Sequence, residues 1–157
     1  MSKTPWNPSR KAAARVKAPL PAPEVCPYCG SPVEIVHHRE VYGRAFSAWP
    51  WLYRCAGSPA CDSFVGMHPY TAIPLGTLAD PATRDARKNC KPAFEALWRG
   101  DCSFLTRREA YRALADRLGI PVEQCHFAWF DIAACWKAKD ACMQIAKEHR
   151  NTDTTER

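Results

Sequence analysis

The sequence predicts an α+β protein, with short strands in its first half and helices in its second. Three observations predict it. Val33–His37 and Trp51–Arg54 are short runs rich in β-branched and aromatic residues, the composition of strands. From about residue 80 apolar residues recur at helical spacing, with start and stop signals around residues 104–119. Between residues 26 and 61, four of the nine cysteines fall in two close pairs, in a segment too short to build a large core.

Residues 1–23 mix proline, alanine and basic residues without hydrophobic periodicity, and are expected to form a disordered basic arm. Residues 24–76 read as strands and turns, punctuated by Gly30, Gly43, Gly57 and Gly66. A segment of that length needs a staple, and a metal would serve.

Residues 77–150 are expected to be a unit of three helices. Asp80 is a suitable N-cap before Pro81, and Ala86, Cys90, Ala93, Phe94 and Leu97 mark one buried face. Pro92 is expected to kink or split this helix near residues 89–91, because it lacks an N–H and crowds the preceding turn. The second helix has a Thr106/Glu109 capping box and stops at Gly119, with Ala110, Tyr111, Leu114, Ala115 and Leu118 on its apolar face. The third is expected to start after Asp131 and run to about Arg150. Residues 151–157 are expected to fray.

Composition narrows the function. No stretch is apolar for long enough to span a membrane, and no secretory signal opens the chain, so a cytoplasmic protein is expected. An odd cysteine count with a Cys-x-x-Cys pair favours metal binding over a disulfide framework. The formal charge of +6 is concentrated in the arm. Lys3, Arg10, Lys11, Arg15 and Lys17 carry it with no acid, leaving 17 basic and 16 acidic residues over 24–157. Any attraction to nucleic acid must therefore come from the arm and from local patches.

Cys26-x2-Cys29-x25-Cys55-x5-Cys61 has the spacing of a tetrahedral zinc site. Cys26-Pro27-Tyr28-Cys29-Gly30 supplies one tight turn, and Gly57, Ser58 and Pro59 fold the longer loop back. Four thiolates around one Zn2+ leave no open position, so the ion is expected to be structural. His68 is the rival ligand. Cys90, Cys102, Cys125, Cys135 and Cys142, with His126, are the residues from which a second metal site would have to come. No Cys-x-x-Cys pair marks one, and buried free cysteine is common.

Two patterns suit nucleic acid. Arg84, Arg87, Lys88 and Lys91 fall on one stripe of the first helix, opposite its apolar face, where they could line up along phosphates. Tyr42, Phe46, Trp49, Trp51 and Tyr53 crowd the insert between the cysteine pairs, with Arg39, Arg44 and Arg54 interleaved. Such rings can stack on unpaired bases, although two or three are expected to be the segment's core. His68, Asp80, His126 and Asp131 carry the residue types of a hydrolase, but nothing in their spacing assembles them. No phosphate loop, nucleophile elbow or HExxH motif is present.

Two resemblances add to this reading. Cys55-Ala56-Gly57-Ser58-Pro59-Ala60-Cys61 is similar to the Cys-x5-Cys turn of the C-terminal zinc ribbons of bacterial type I topoisomerases. In those ribbons proline also lies two residues before the last cysteine, and they bind single-stranded DNA. Val41-Tyr42-Gly43-Arg44, Val65-Gly66-Met67-His68, Pro74–Ala79, Arg108-Glu109-Ala110-Tyr111, Cys125-His126 and Phe130-Asp131 carry the second. With Cys26–Gly30, they resemble a phage and bacterial family of zinc-finger-containing domains of unknown function. That resemblance implies a phage or prophage setting and a zinc-bearing fold, without an activity. The expectation is a small zinc ribbon of β-hairpins packed with a three-helix C-terminal unit, holding one structural zinc and binding single-stranded or structured nucleic acid. The alternative is docking on a host protein, with the ribbon as a rigid interface.

Overall fold

The computed structural model describes residues 3–45 and 47–155. They form two compact units, Met1–Pro81 and Ala82–Arg157.

The first unit holds a three-stranded antiparallel sheet in the order β1-β2-β3, with β1 at Val33–His37, β2 at Trp51–Cys55 and β3 at Phe64–Gly66. Val33 pairs with Cys55 and His37 with Trp51. Leu52 pairs with Gly66 and Arg54 with Phe64. The two longer strands lie where their β-branched and aromatic residues predict them. The short β3 has too few residues to alternate, and is held by its register on β2. A single helical turn, α2 at Arg39–Tyr42, follows β1 and ends on Gly43 in the left-handed region (φ 77°), which glycine enters without steric cost.

The core of this unit is Cys26, Trp49, Tyr53, Cys55, Val65, Met67 and Leu78. Leu78 and Ala79 therefore pack with the ribbon, ahead of the helix at Pro81, although the expected unit boundary placed them with the helices. Leu78 is buried, its carbonyl accepts the Tyr28 hydroxyl at 3.1 Å, and Ala79 bridges to Phe64. The arm also departs from the featureless segment its composition suggested. Helix α1, Arg10–Ala14, is capped by the Ser9 hydroxyl. The Ser9 N–H donates to the Tyr70 carbonyl at 2.8 Å, and Trp6 meets Trp51 edge to face at 5.5 Å. These contacts pin the arm to the sheet.

The second unit is helical. Helix α3 spans Pro81–Trp98, α4 Arg107–Leu118 and α5 Ile132–Thr155, with two 3-10 turns, Val122–Gln124 and Phe127–Trp129, between α4 and α5. Its core joins Ala86, Cys90, Phe94 and Leu97 of α3 to Ala110, Leu114 and Ala115 of α4. Cys135, Ala138, Cys142 and Ile145 of α5 complete it, with Phe127 and Phe130. The capping box at Thr106 and Glu109 is formed, and Gly119 closes α4 in the left-handed region. Asp131 caps α5 by accepting the Ala134 N–H at 2.8 Å.

Helix α3 runs through Pro92 without dividing, which removes the split that was one of the two expected outcomes. Lys88 and Pro92 both lie on the exposed side, while the buried Cys90, Phe94 and Leu97 anchor both halves of the helix. Helix α5 continues past Arg150 to Thr155, with the Thr152 hydroxyl donating to the Glu148 carbonyl at 2.9 Å. The expected fraying of residues 156–157 lies outside the described residues. No helix among the described residues is long and apolar enough to cross a membrane.

Candidate metal centre

Strand pairing builds the metal centre. Cys55 ends β2, opposite Val33, and so faces the turn that carries Cys26 and Cys29. That turn closes through the Gly30 N–H, which donates to the Cys26 carbonyl at 2.9 Å, and the Cys26 N–H, which donates to Ser31 at 2.8 Å. The second loop closes where the Cys61 N–H donates to the Gly57 carbonyl at 3.1 Å, and it contains a cis Ser58–Pro59 bond.

The four sulfurs converge. Cys26 Sγ lies 3.7 Å from Cys61 Sγ, and Cys29 Sγ lies 3.4 Å from Cys55 Sγ. All four lie within 4.8 Å of one another. A tetrahedron with Zn–S bonds of about 2.3 Å has sulfurs roughly 3.8 Å apart, so the cage fits one zinc ion. Cys26 and Cys55 are buried, Cys61 is half-buried and Cys29 is at the surface. A side chain at Gly57 would place its Cβ 3.2 Å from Ser31 Oγ, so the hydroxyl beside Cys29 would have to give way.

The surroundings favour thiolates unequally. Burial raises Cys26, but the Ser63 hydroxyl, the Tyr28 and Cys29 N–H groups and Cys61 outweigh it and hold its pKa down at about 6. Ser31 lowers Cys29 through its side chain and backbone. Burial pushes Cys61 up to about 12 and raises Cys55 as well. A cage that stabilises two thiolates and resists two more is completed by a divalent cation, which offsets the repulsion among all four.

Ser31 and Ser63 were not singled out as candidates from the sequence. Ser63 Oγ lies 3.2 Å from Cys26 Sγ and 3.9 Å from Cys61 Sγ, fully buried, and Ser31 Oγ lies 3.3 Å from Cys29 Sγ. The signal was available, since each pair's second cysteine is followed two residues later by serine. Ser63→Ala is expected to weaken zinc affinity about 10- to 100-fold, as loss of an outer-shell partner commonly does. Competition with a chromophoric chelator measures it, and unchanged affinity would show the hydroxyl to be dispensable.

Elsewhere the expected residues scatter. Trp49 and Tyr53 are corrected from base-stacking candidates to core. Trp49 Nε1 donates to the Thr71 carbonyl at 3.0 Å, and the Tyr53 hydroxyl donates to the Ala72 carbonyl. The ribbon has few aliphatic residues, so rings fill its interior. Trp51 is half-buried between Trp6 and His37. Phe46 lies outside the described residues. Arg54 pairs with Glu34 at 2.9 Å across the strands, and Arg44 is exposed after α2.

On α3, Arg84 and Arg87 are half-buried, and Lys88 and Lys91 are exposed. Arg87 Nε donates to the Phe130 carbonyl at 3.0 Å, and Lys91 approaches Glu95 at 3.9 Å. The stripe is thus partly engaged in holding the helical unit together. His68 stands apart from the sulfur cage, and its backbone closes a turn with Thr71 and Ile73. Cys90, Cys125, Cys135 and Cys142 are buried in the helical core and Cys102 is exposed. His126 sits between the Tyr111 and Trp129 rings. Among the described residues, the four ribbon cysteines are the one group of three or more metal-ligating side chains with converging ligand atoms.

A family model described as a zinc-finger-containing domain matches residues 22–149, which takes in the cage and all three long helices' cores. No curated protein and no solved structure matches the chain.

Proposed function

We propose, from the premise that this chain belongs to the zinc-finger-containing domain family, that it binds single-stranded nucleic acid through its N-terminal arm and the rings beside it. One observation carries the reading. Trp6 is 67% exposed and rests against Trp51, so the arm is laid along the ribbon with Lys3, Arg10, Lys11, Arg15 and Lys17 all exposed. No acid lies within residues 1–23. Cations beside an open ring suit a flexible strand, whose phosphates meet the charges while an unpaired base stacks on the ring. The zinc cage serves this arrangement by fixing the sheet to which the arm is pinned. Arg44 of the ribbon adds an exposed cation, and the buried Trp49 and Tyr53 take no part.

The test is a fluorescence-anisotropy titration of the full zinc-loaded chain with labelled 20-nucleotide dT and rU strands at two salt concentrations. Affinity is expected to fall steeply with salt, and Trp6→Ala to weaken binding by about 5- to 100-fold, the range for losing one stacked base. An absence of binding, or binding indifferent to both salt and Trp6, would overturn the proposal. Recovery of one stoichiometric protein after nuclease treatment would favour docking on a host protein instead.

A further inference from the structure

In the second unit the Tyr111 ring lies 6.1 Å from His126, and His126 lies 5.0 Å from Trp129. The Arg107 guanidinium rests over both the Tyr111 and the Trp98 rings, 5.6 and 5.4 Å from their centroids. All four rings are half-buried. Arg107 and Arg108, the first two residues of α4, are exposed. Cations at that position oppose the positive end of the helix dipole. Among the described residues, neither meets a carboxylate. Glu109 is held by the Thr106 N–H of the capping box, and Glu95 lies between Lys91 and Arg99. Asp101 and Glu123 are exposed and pair with neither arginine.

We propose that Arg107, Arg108 and the adjoining rings form a nucleotide-phosphate site, with the phosphate on the guanidinia and the base against His126 and Trp129. A guanidinium laid on two rings is held in one orientation. Its N–H fork stays free of other partners among the described residues, which is the arrangement that grips two phosphate oxygens. An anion here would offset two adverse placements at once. One is the pair of cations at the start of α4. The other is the Arg107 charge beside His126. Burial lowers the His126 pKa and the Arg107 charge lowers it further, against the Glu123 carbonyl, which accepts from its ring and raises it. The rings select a nucleotide over a side-chain carboxylate, because a base offers a face to stack and a carboxylate offers none. The site lies wholly within the second unit and goes beyond the reading of the N-terminal arm.

The probe is thymidine 5′-monophosphate, titrated into the full zinc-loaded chain and followed by NMR at the Arg107 Nε–H and the Trp129 indole N–H. Both signals are expected to shift saturably and together. Thymidine and succinate are each expected to bind at least about 10-fold more weakly, the scale of losing one charge-assisted pair or the stacked ring. Arg107→Gln is expected to weaken the mononucleotide by about 10-fold or more. Arg107→Lys is expected to restore only part of it, since lysine keeps the charge but not the fork. Arg107 is exposed, and helical circular dichroism and zinc content serve as controls for both variants. A five-nucleotide dT strand read at the same two N–H groups tells the source of the phosphate. Tighter binding assigns it to a strand and equal binding to a free nucleotide, and both support the site. The proposal is overturned if neither signal shifts saturably, if thymidine or succinate binds as tightly, or if Arg107→Gln has no effect. Failure of the arm reading would appear separately, as dT binding indifferent to Trp6→Ala.

Discussion

Stripping zinc from the protein is expected to unfold the ribbon and leave the helical unit standing. Among the described residues, the ribbon's main core cluster has seven buried residues, two of them the metal ligands Cys26 and Cys55. Its strands are five, five and three residues long. Sheets that small are marginal without a staple. Zinc held by a structural site contributes roughly 10–16 kcal/mol of apparent binding free energy, comparable to the whole stability of about 5–15 kcal/mol of an ordinary domain. Losing it therefore exceeds what the ribbon can retain. A strong chelator should release one zinc per chain, collapse the dispersed amide resonances of residues 33–66 and shift tryptophan emission to the red. The helical circular dichroism at 222 nm should largely survive. Cys55→Ser should reproduce this result and Cys102→Ser should not, because Cys102 is exposed and outside the cage. Persistence of the ribbon amides after complete zinc removal would refute the staple.

The converse is expected of Phe94→Ala. Phe94 is 1% exposed at the centre of the helical core, with the Tyr111, Phe127 and Trp98 rings centred 4.7, 5.8 and 6.2 Å away. Emptying such a site costs about 3–5 kcal/mol, from lost transfer free energy and the cavity that remains. For a unit of this size each kcal/mol lowers the melting temperature by about 4–8 °C, so a fall of roughly 10 °C or more is expected in the helical transition. Zinc stoichiometry should stay at one per chain, since the cage and this core share no residue. Calorimetry with a parallel zinc assay checks both. A variant that lost zinc along with helix would show that the two units do not fold separately.

The parts of the fold that local chemistry encodes were legible. Helix α4 starts at a Thr106/Glu109 box and stops at Gly119, and each signal acts within a few residues of the backbone it satisfies. Strands β1 and β2 follow from runs of β-branched and aromatic residues. Helix α3 begins at Pro81 as the Asp80-Pro81 pair predicts, yet its passage through Pro92 was not legible, because it depends on which side of the helix the packing leaves in water. The arm misled for a similar reason. Its composition describes an unattached chain, and the ring and hydrogen bond that hold it come from Trp51 and Tyr70, far along the sequence.

The sequence by itself determined the four zinc ligands, since Cys26, Cys29, Cys55 and Cys61 are selected by loop spacing and by the softness of sulfur, both local properties. Tertiary structure alone decided which aromatic rings remain at the surface. Trp49, Trp51 and Tyr53 are interchangeable as letters in a strand-like stretch. Their separation into core and half-buried edge depends on what Val65, Met67, Leu78 and the arm bring to each face. Burial is a property of the assembled neighbourhood, and no local pattern contains it.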